Sequence, residues 1–511
     1  LGDLHPHVTS LPFLLLFMSM GLNLFVSSEK MWLGWIRRHP VESLAIAFLL
    51  GALAFVNSWD FPVYAVILGL IIFTKSYRDN WWGRPAPDLA GANDALGKTA
   101  WSTLLMLAPL VVVAVLLFLP FYLDLSSQAS GVLPVTGPST RPLLFFLAMG
   151  LFLVLAVSFV LRQLSGMPRP TKIDAPAVMF VLIVTLVPFL VWGAAMLLLT
   201  LLTGGILAGM AEIAGRFLRI LPGLAIIGLA GFSALQRVRW DREPLAAFPL
   251  LLMALAFYLL VGAELFFLAD GFGNRMNTVF KLYYQSWLLL AIGGTFGVYY
   301  WQSHRPARQF GPRLGHYAWM GAIVVLLAVS LYYPVGAVLD RTGFLGPGHR
   351  LSDNTLDGLA FLKAAEPDEY AAIVWLRDQA APGRIVEAVG NDYSDYGRIS
   401  AGTGLPTILG WKGHELQWRG TTKLFDGREE DVADIYQSED PDRVRQLLEQ
   451  YGIRYVYFGR RERSTYGDNH LSDYAGFLRT VFQQGGVTIY ERLNETERGA
   501  LPSTKVKVGA T

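Results

Sequence analysis

The chain has 511 residues, 53% of them hydrophobic, with 42 basic and 40 acidic side chains and a formal net charge of +2. So even a balance, with no basic stripe interleaved with aromatics, excludes a nucleic-acid partner. The absence of cysteine excludes disulfides, thiolate catalysis and Cys-ligated zinc, and leaves any metal to His, carboxylate or carbonyl ligands.

The charge is unevenly shared. Long apolar runs fill the chain to about Leu339, and the remainder is rich in Asp, Glu, Lys and Arg. A hydrocarbon layer about 30 Å thick takes roughly 20 apolar residues of helix. About ten runs qualify: Val8 to Val26, Val41 to Asn57, Phe61 to Thr74, Trp101 to Leu123, Pro142 to Leu161, Ala175 to Leu202, Ile220 to Leu235, Ala246 to Leu268, Thr278 to Trp301 and Tyr317 to Leu339. Alternate loops carry the cations, among them Arg37 and Arg38, Lys75 and Arg78, Arg162 and Arg169, Arg237 and Arg239, and Arg305 and Arg308. Those loops face the cytoplasm. The intervening loops hold chiefly Arg141, Arg216, Arg219 and Arg275.

The expected architecture is a polytopic α-helical membrane domain over residues 1–340, followed by an extracytoplasmic soluble domain over 341–494 and a disordered polar tail over 495–511. In the soluble part, helical spacing over Glu369 to Gln379 and Asp440 to Tyr451 alternates with strand-like Arg384 to Val389, Arg454 to Phe458 and Val487 to Tyr490. That alternation predicts a small α/β layer domain. The protein is expected in the cell (plasma) membrane, with the lipid bilayer as its first partner.

Under this orientation three polar segments reach the same extracytoplasmic side. In the first, Asp3, His5 and His7 alternate, so an extended chain points all three to one face. They would hold a divalent cation, Mg or Mn, or Asp3 would be a general base; the alternative is a solvated loop before a helix capped by Thr9 or Ser10. The second, Asn57 to Asp60, joins two runs as a tight hairpin. There Asp60 is either a helix cap beside an interfacial Trp59 or a carboxylate at the lip of an intramembrane cavity. In the third, Asp270, Asn274, Arg275 and Asn277 precede a helix carrying Lys281, Tyr283, Tyr284 and Gln285. Arg275 and Lys281 near a helix start suit phosphate or pyrophosphate, with Asn274, Asn277 and Tyr284 beside them. The alternative pairs Arg275 with Asp270 and lets Lys281 snorkel, while Glu264 offers a partner to either cation.

Two loops of the soluble part are dense in aromatics, amides and charge. Tyr396, Trp411 and Trp418 would stack on sugar rings while Asp395, His414, Glu415 and Arg419 bond hydroxyls or phosphate. Anchoring to a membrane interface is the other use of such rings.

The segments Gly2-Asp3-Leu4-His5-Pro6-His7-Val8-Thr9, Asn57-Ser58-Trp59-Asp60-Phe61-Pro62 and Asn274 to Gln285 resemble, in order, the YYY membrane protein family, also called domain of unknown function 2298. The resemblance covers essentially the whole chain. That family in turn resembles the C-type glycosyltransferases, multi-spanning enzymes that move a sugar from a polyprenyl-phosphate donor outside the cytoplasm and carry an acidic residue in the first extracytoplasmic loop. The Tyr-rich segment that names the family precedes the Gly-Asp-Leu-His motif, so the sequence reads as a fragment lacking its natural N-terminus.

The resemblance implies transfer of a sugar from a polyprenyl-phosphate-linked donor to a glycan, lipid or protein acceptor. Asp3 or Asp60 would be the base, and Arg275 and Lys281 would hold the phosphate leaving group. A lipid or solute transporter (flippase), or a non-catalytic scaffold with a glycan-binding domain, are the competing expectations.

Overall fold

A computed structural model describes residues 5–81, 89–125, 129–165, 175–241, 244–270, 273–304, 310–344, 346 and 355–494. Asp3, Gly271 and Phe272 and the expected tail over 495–511 lie outside these residues. The described residues form two compact units that divide near Leu339.

Each of the ten apolar runs becomes a helix, because only a helix or a closed barrel satisfies every backbone group in lipid. The helices are Pro6–Val26, Pro40–Val56, Asp60–Trp81, Leu89–Leu117, Pro142–Ser165, Ala175–Thr203, Ile206–Trp240, Ala247–Leu265, Met276–Ser303 and Phe310–Arg341, numbered below as the first to tenth spans. Among the described residues, eight are long and apolar enough to cross a membrane. The second is short at 17 residues; the ninth carries a polar first turn and still packs within the bundle through Leu288, Leu289 and Leu290. The first, second and fifth spans open on proline, whose missing N–H costs nothing at that position.

The eighth span is the hub, apolar all round and the most buried of the candidate spans. It packs between the seventh and ninth. A Cβ at Gly294 would lie 3.0 Å from Leu155, so its absence lets the ninth span sit against the fifth.

Three boundaries differ from the sequence reading. The seventh span starts at Ile206, not Ile220, so Arg216 and Arg219 lie inside a helix and not in a loop. The fourth helix stops at Leu117 and a separate turn of helix covers Leu119–Asp124. The eighth ends at Leu265, where strand β2 (Phe266–Ala269) pairs antiparallel with β1 (Gly131–Pro134). A β-prone Phe-Phe-Leu segment with a partner strand beside it leaves the helix, although its hydropathy continues unbroken.

The second unit is the expected α/β layer. Strands β3 (Arg384–Val386), β4 (Ile453–Phe458), β5 (Leu478–Gln484) and β6 (Val487–Arg492) lie in the order β3-β4-β6-β5. The β3-β4 pair is parallel and the other pairs are antiparallel. Alternate residues go to opposite faces, with Val456, Phe458 and Tyr490 in one core and Tyr455, Tyr457 and Ile489 in the other. Pairing of β3 stops at Val386, three residues before the predicted end, because Glu387 turns to bond the helix Arg398–Thr403. The polar edge strand β5 gave no alternating apolar signal.

Candidate functional site

The starts of three spans meet at one end of the bundle. The first span supplies His7 and Ser10, the third Asp60 and Tyr64, and the ninth Lys281, Tyr284 and Gln285, spaced to share one helix face.

Asp60 is fully buried. It is the first residue of its helix, yet its carboxylate turns to the bundle: Oδ1 accepts from Asn57 Nδ2 at 2.8 Å and from Gln285 Nε2 at 2.5 Å. Among the described residues, Oδ2 has no hydrogen-bond partner, and neither do Gln285 Oε1, the Tyr64 hydroxyl or His7 Nε2, all buried. Unsatisfied polar atoms at such depth are costly, and four of them lie in this one group.

The Gly-Asp-Leu-His segment is not extended beyond His5. Helix begins at Pro6, with His5 as N-cap, and Thr9 and Ser10 bond back to the carbonyls of His5 and His7 where capping was expected. The two imidazoles nonetheless converge, with Nδ1 atoms 2.9 Å apart. Phe280 packs against both rings and Tyr284 donates to the His7 carbonyl at 3.0 Å. Among the described residues no group of three His, Asp or Glu gathers as a metal set; Asp3, the third expected ligand, lies outside them. Lys281 places its ammonium 4.2 Å from the centre of the Trp59 ring and lies within electrostatic reach of His7.

Arg275 has different surroundings. Its guanidinium bonds Glu264 Oε1 at 2.8 Å, the carbonyls of Ala263 and Pro138 at 3.2 and 3.0 Å, and Thr140 Oγ1 at 3.2 Å. Thr140 also donates to Glu264 from its amide at 3.1 Å. Arg216, wholly buried, bonds Glu212 and Gly137 O at 2.7 Å and Glu264 O at 3.0 Å. The two arginines therefore clamp the loop over 137–140 to the end of the eighth span. Arg275 pairs with Glu264. Asn277 bonds Asp270 at 2.7 Å, and Asn274 accepts from the Met276 amide at 2.8 Å as a turn residue. Of the residues expected around phosphate, Lys281 and Tyr284 join the Asp60 group, whereas Arg275, Asn274 and Asn277 have local partners.

The residues singled out in the second unit take mostly local partners. Asp395 bonds Arg398 and Arg461, and the Tyr396 hydroxyl meets Thr465 at 3.0 Å. The Trp411 ring lies tilted against Tyr393 and the His414 ring meets both edge-to-face, and the Tyr393 backbone is in the left-handed region at φ 54°. Trp411 Nε1 donates to the Tyr396 carbonyl at 2.6 Å. Glu415 and Arg419 pair with each other, and Trp418 is exposed.

Tyr64, Thr140 and the bridging role of Gln285 were missed from sequence. Tyr64 had a signal, one helical turn after Asp60 on an otherwise apolar face; Thr140 had none.

The model of DUF2298, described as an uncharacterized membrane protein, matches residues 1–290. The chain belongs to this family. All three polar motifs and the whole Asp60 group fall inside the matched DUF2298 region, and the α/β layer of the second unit lies beyond it. No curated protein matches the chain.

Proposed function

We propose that this DUF2298 protein transfers a sugar from a polyprenyl-phosphate donor to an acceptor on the extracytoplasmic side, at the span ends where Asp60 and Lys281 converge. The single observation that carries the reading is the Asp60 carboxylate, buried and fixed on Oδ1 by Asn57 and Gln285, whose Oδ2 has no hydrogen-bond partner among the described residues, with the Ser10 hydroxyl close by. A carboxylate held in one orientation is prepared to accept a proton.

In the reaction, an acceptor hydroxyl attacks the anomeric carbon as its proton passes to Asp60 Oδ2. The new C–O bond forms as the bond to the phosphate oxygen breaks, and the electron pair leaves with the polyprenyl phosphate. Lys281 meets the added negative charge, the kind of stabilisation from which such sites gain most of their rate. His5 and His7, whose Nδ1 atoms approach to 2.9 Å, would contribute imidazole ligands to a divalent cation. The alternation of cationic loops supports the orientation, with the soluble unit outside the cytoplasm of a cell membrane.

The test uses the full chain in nanodiscs with radiolabelled polyprenyl-phosphate sugars, with and without Mg²⁺ or Mn²⁺, following loss of sugar from the lipid. Turnover that vanishes in a folded Asp60→Asn variant is expected. Tight lipid binding with no turnover by the wild type would overturn the reading in favour of transport.

A further inference from the structure

Exposed apolar side chains are unevenly placed on the second unit. Among the described residues from 425 to 494 no large hydrophobic side chain is exposed, whereas Tyr393 is 71% and Trp418 69% exposed. Single exposed rings are ordinary, but these two belong to one ridge. The Tyr393 and Trp411 ring centres are 5.4 Å apart, and the His414 ring meets them edge-on at 4.8 and 5.2 Å. Trp418 follows His414 by one turn of the helix Lys412–Arg419 and so shares its face.

Backbone contacts hold the ridge from behind. Trp411 Nε1 donates to the Tyr396 carbonyl at 2.6 Å, and the Gly413 amide to Asp392 Oδ1 at 3.0 Å. A Cβ at Gly413 would collide with the Asp392 carboxylate, so glycine lets the helix start sit on the turn that presents Tyr393. No residue of this helix is buried, so completing the core does not account for it. Its charges stay local, Lys412 paired with Glu429 and Arg419 with Glu415, and Lys423 adds an exposed cation in the turn that follows. Leu416 turns to the other side of the helix and is no part of the ridge.

We infer that the ridge of Tyr393, Trp411, His414 and Trp418 docks the second unit on the headgroup layer of the bilayer that its own chain spans. Two observations select the lipid surface. The segment 342–359 joins the tenth span, which ends at Arg341, to the helix Ala360–Ala365. Even fully drawn out such a segment reaches only about 60 Å, so a lipid surface is always at hand and docking is in effect intramolecular. The residue types are the second. Tryptophan and tyrosine settle at headgroup level, where the ring is half desolvated and its polar edge stays wet, and Lys423 suits the phosphates there. A sugar platform would need rings lying flat together, but Tyr393 and Trp411 are inclined at 46° and His414 stands at 83° and 82° to them. The inference is independent of whether the membrane unit transfers sugar.

The chain has no cysteine, so one introduced thiol carries one spin label. The experiment places a label at Gln417→Cys, beside the ridge, or at Arg445→Cys, on the helix Pro441–Gln450, in the full chain in nanodiscs of phosphatidylcholine and phosphatidylglycerol. Power saturation then reads collisions with a water-soluble nickel chelate and with oxygen, which concentrates in lipid. The label at 417 should meet the nickel chelate about threefold less often than the label at 445, and oxygen more often. Tyr393→Ser combined with Trp418→Ser should return the 417 label to the level at 445 and leave the unfolding temperature nearly unchanged, since both rings are exposed. The inference is overturned if the two labels are equally open to nickel, or if the double variant leaves the shielding at 417 in place. Shielding of 417 from nickel and oxygen alike would indicate a protein or glycan cover and also overturn it. No turnover is measured, so failure of the transferase reading leaves this result standing.

Discussion

Gln285 reaches across the bundle to Asp60, 225 residues away in sequence, and donates a 2.5 Å hydrogen bond that fixes one oxygen of its carboxylate. With Asn57 on the same oxygen, the other is left facing the interior.

From this follows an opposed pair of variants. Asp60→Asn keeps the shape and removes the proton acceptor, so turnover should drop by about 10²- to 10⁴-fold while the unfolding temperature holds or rises. Gln285→Ala leaves the carboxylate with one donor and should cost about 1–3 kcal/mol of stability. Thermal unfolding in detergent, read beside the transfer assay, checks both; equal activity in Asp60→Asn and wild type would remove Asp60 from the chemistry.

The two cations of the third motif should separate in the same assays. Arg275→Ala breaks a half-buried ion pair and releases the loop over 137–140, while Glu264 keeps Thr140 as donor, with an expected loss of about 1–3 kcal/mol. Lys281→Ala removes an ammonium that lies over the Trp59 ring and within electrostatic reach of Asp270. It should leave unfolding nearly unchanged and weaken binding of a polyprenyl phosphate at least tenfold. An unstable Lys281→Ala with normal lipid binding would reverse the two roles.

Stability of the soluble unit should fall as pH rises. Burial lifts Glu387 and Glu462 from 4.5 to about 8 and about 7, against the partial opposition of their backbone amide donors. Between those limits the folded state holds protons that the unfolded chain has released. The stabilisation is therefore fully present below about pH 4.5 and is lost as pH climbs through about 7 to 8, at about 1.4 kcal/mol per unit per group while only one state is protonated. Chemical unfolding at pH 5, 6, 7 and 8 measures the slope, and Glu387→Gln should flatten it. A midpoint that rises over this range contradicts the assignment.

Chelation distinguishes the use of the histidine pair. If His5 and His7 hold a divalent cation in the working enzyme, EDTA should remove turnover, Mn²⁺ or Mg²⁺ should restore it, and His7→Ala should abolish the rescue. Unchanged turnover in EDTA would confine the pair to packing against Phe280 and Tyr284.

Sequence determined the bilayer as solvent, the ten helices and the α/β character of the last third, because these depend on hydropathy and period, which are local properties of the chain. It also singled out Asp60, Arg275 and Lys281, since charge beside an apolar run is conspicuous wherever the run packs. Tertiary structure decided which of them act together. Arg275 and Lys281 lie six positions apart and looked like one anion site, yet Arg275 is held by Glu264 and the loop over 137–140, while Lys281 turns to Trp59. Likewise Asp60 stands in the sequence as either a helix cap or a carboxylate at the lip of a cavity, and only packing brings Gln285, from the ninth span, to hold it. Partners so far apart in sequence leave no periodic trace, because a side-chain hydrogen bond is set by the distance between packed helices and not by spacing along either one.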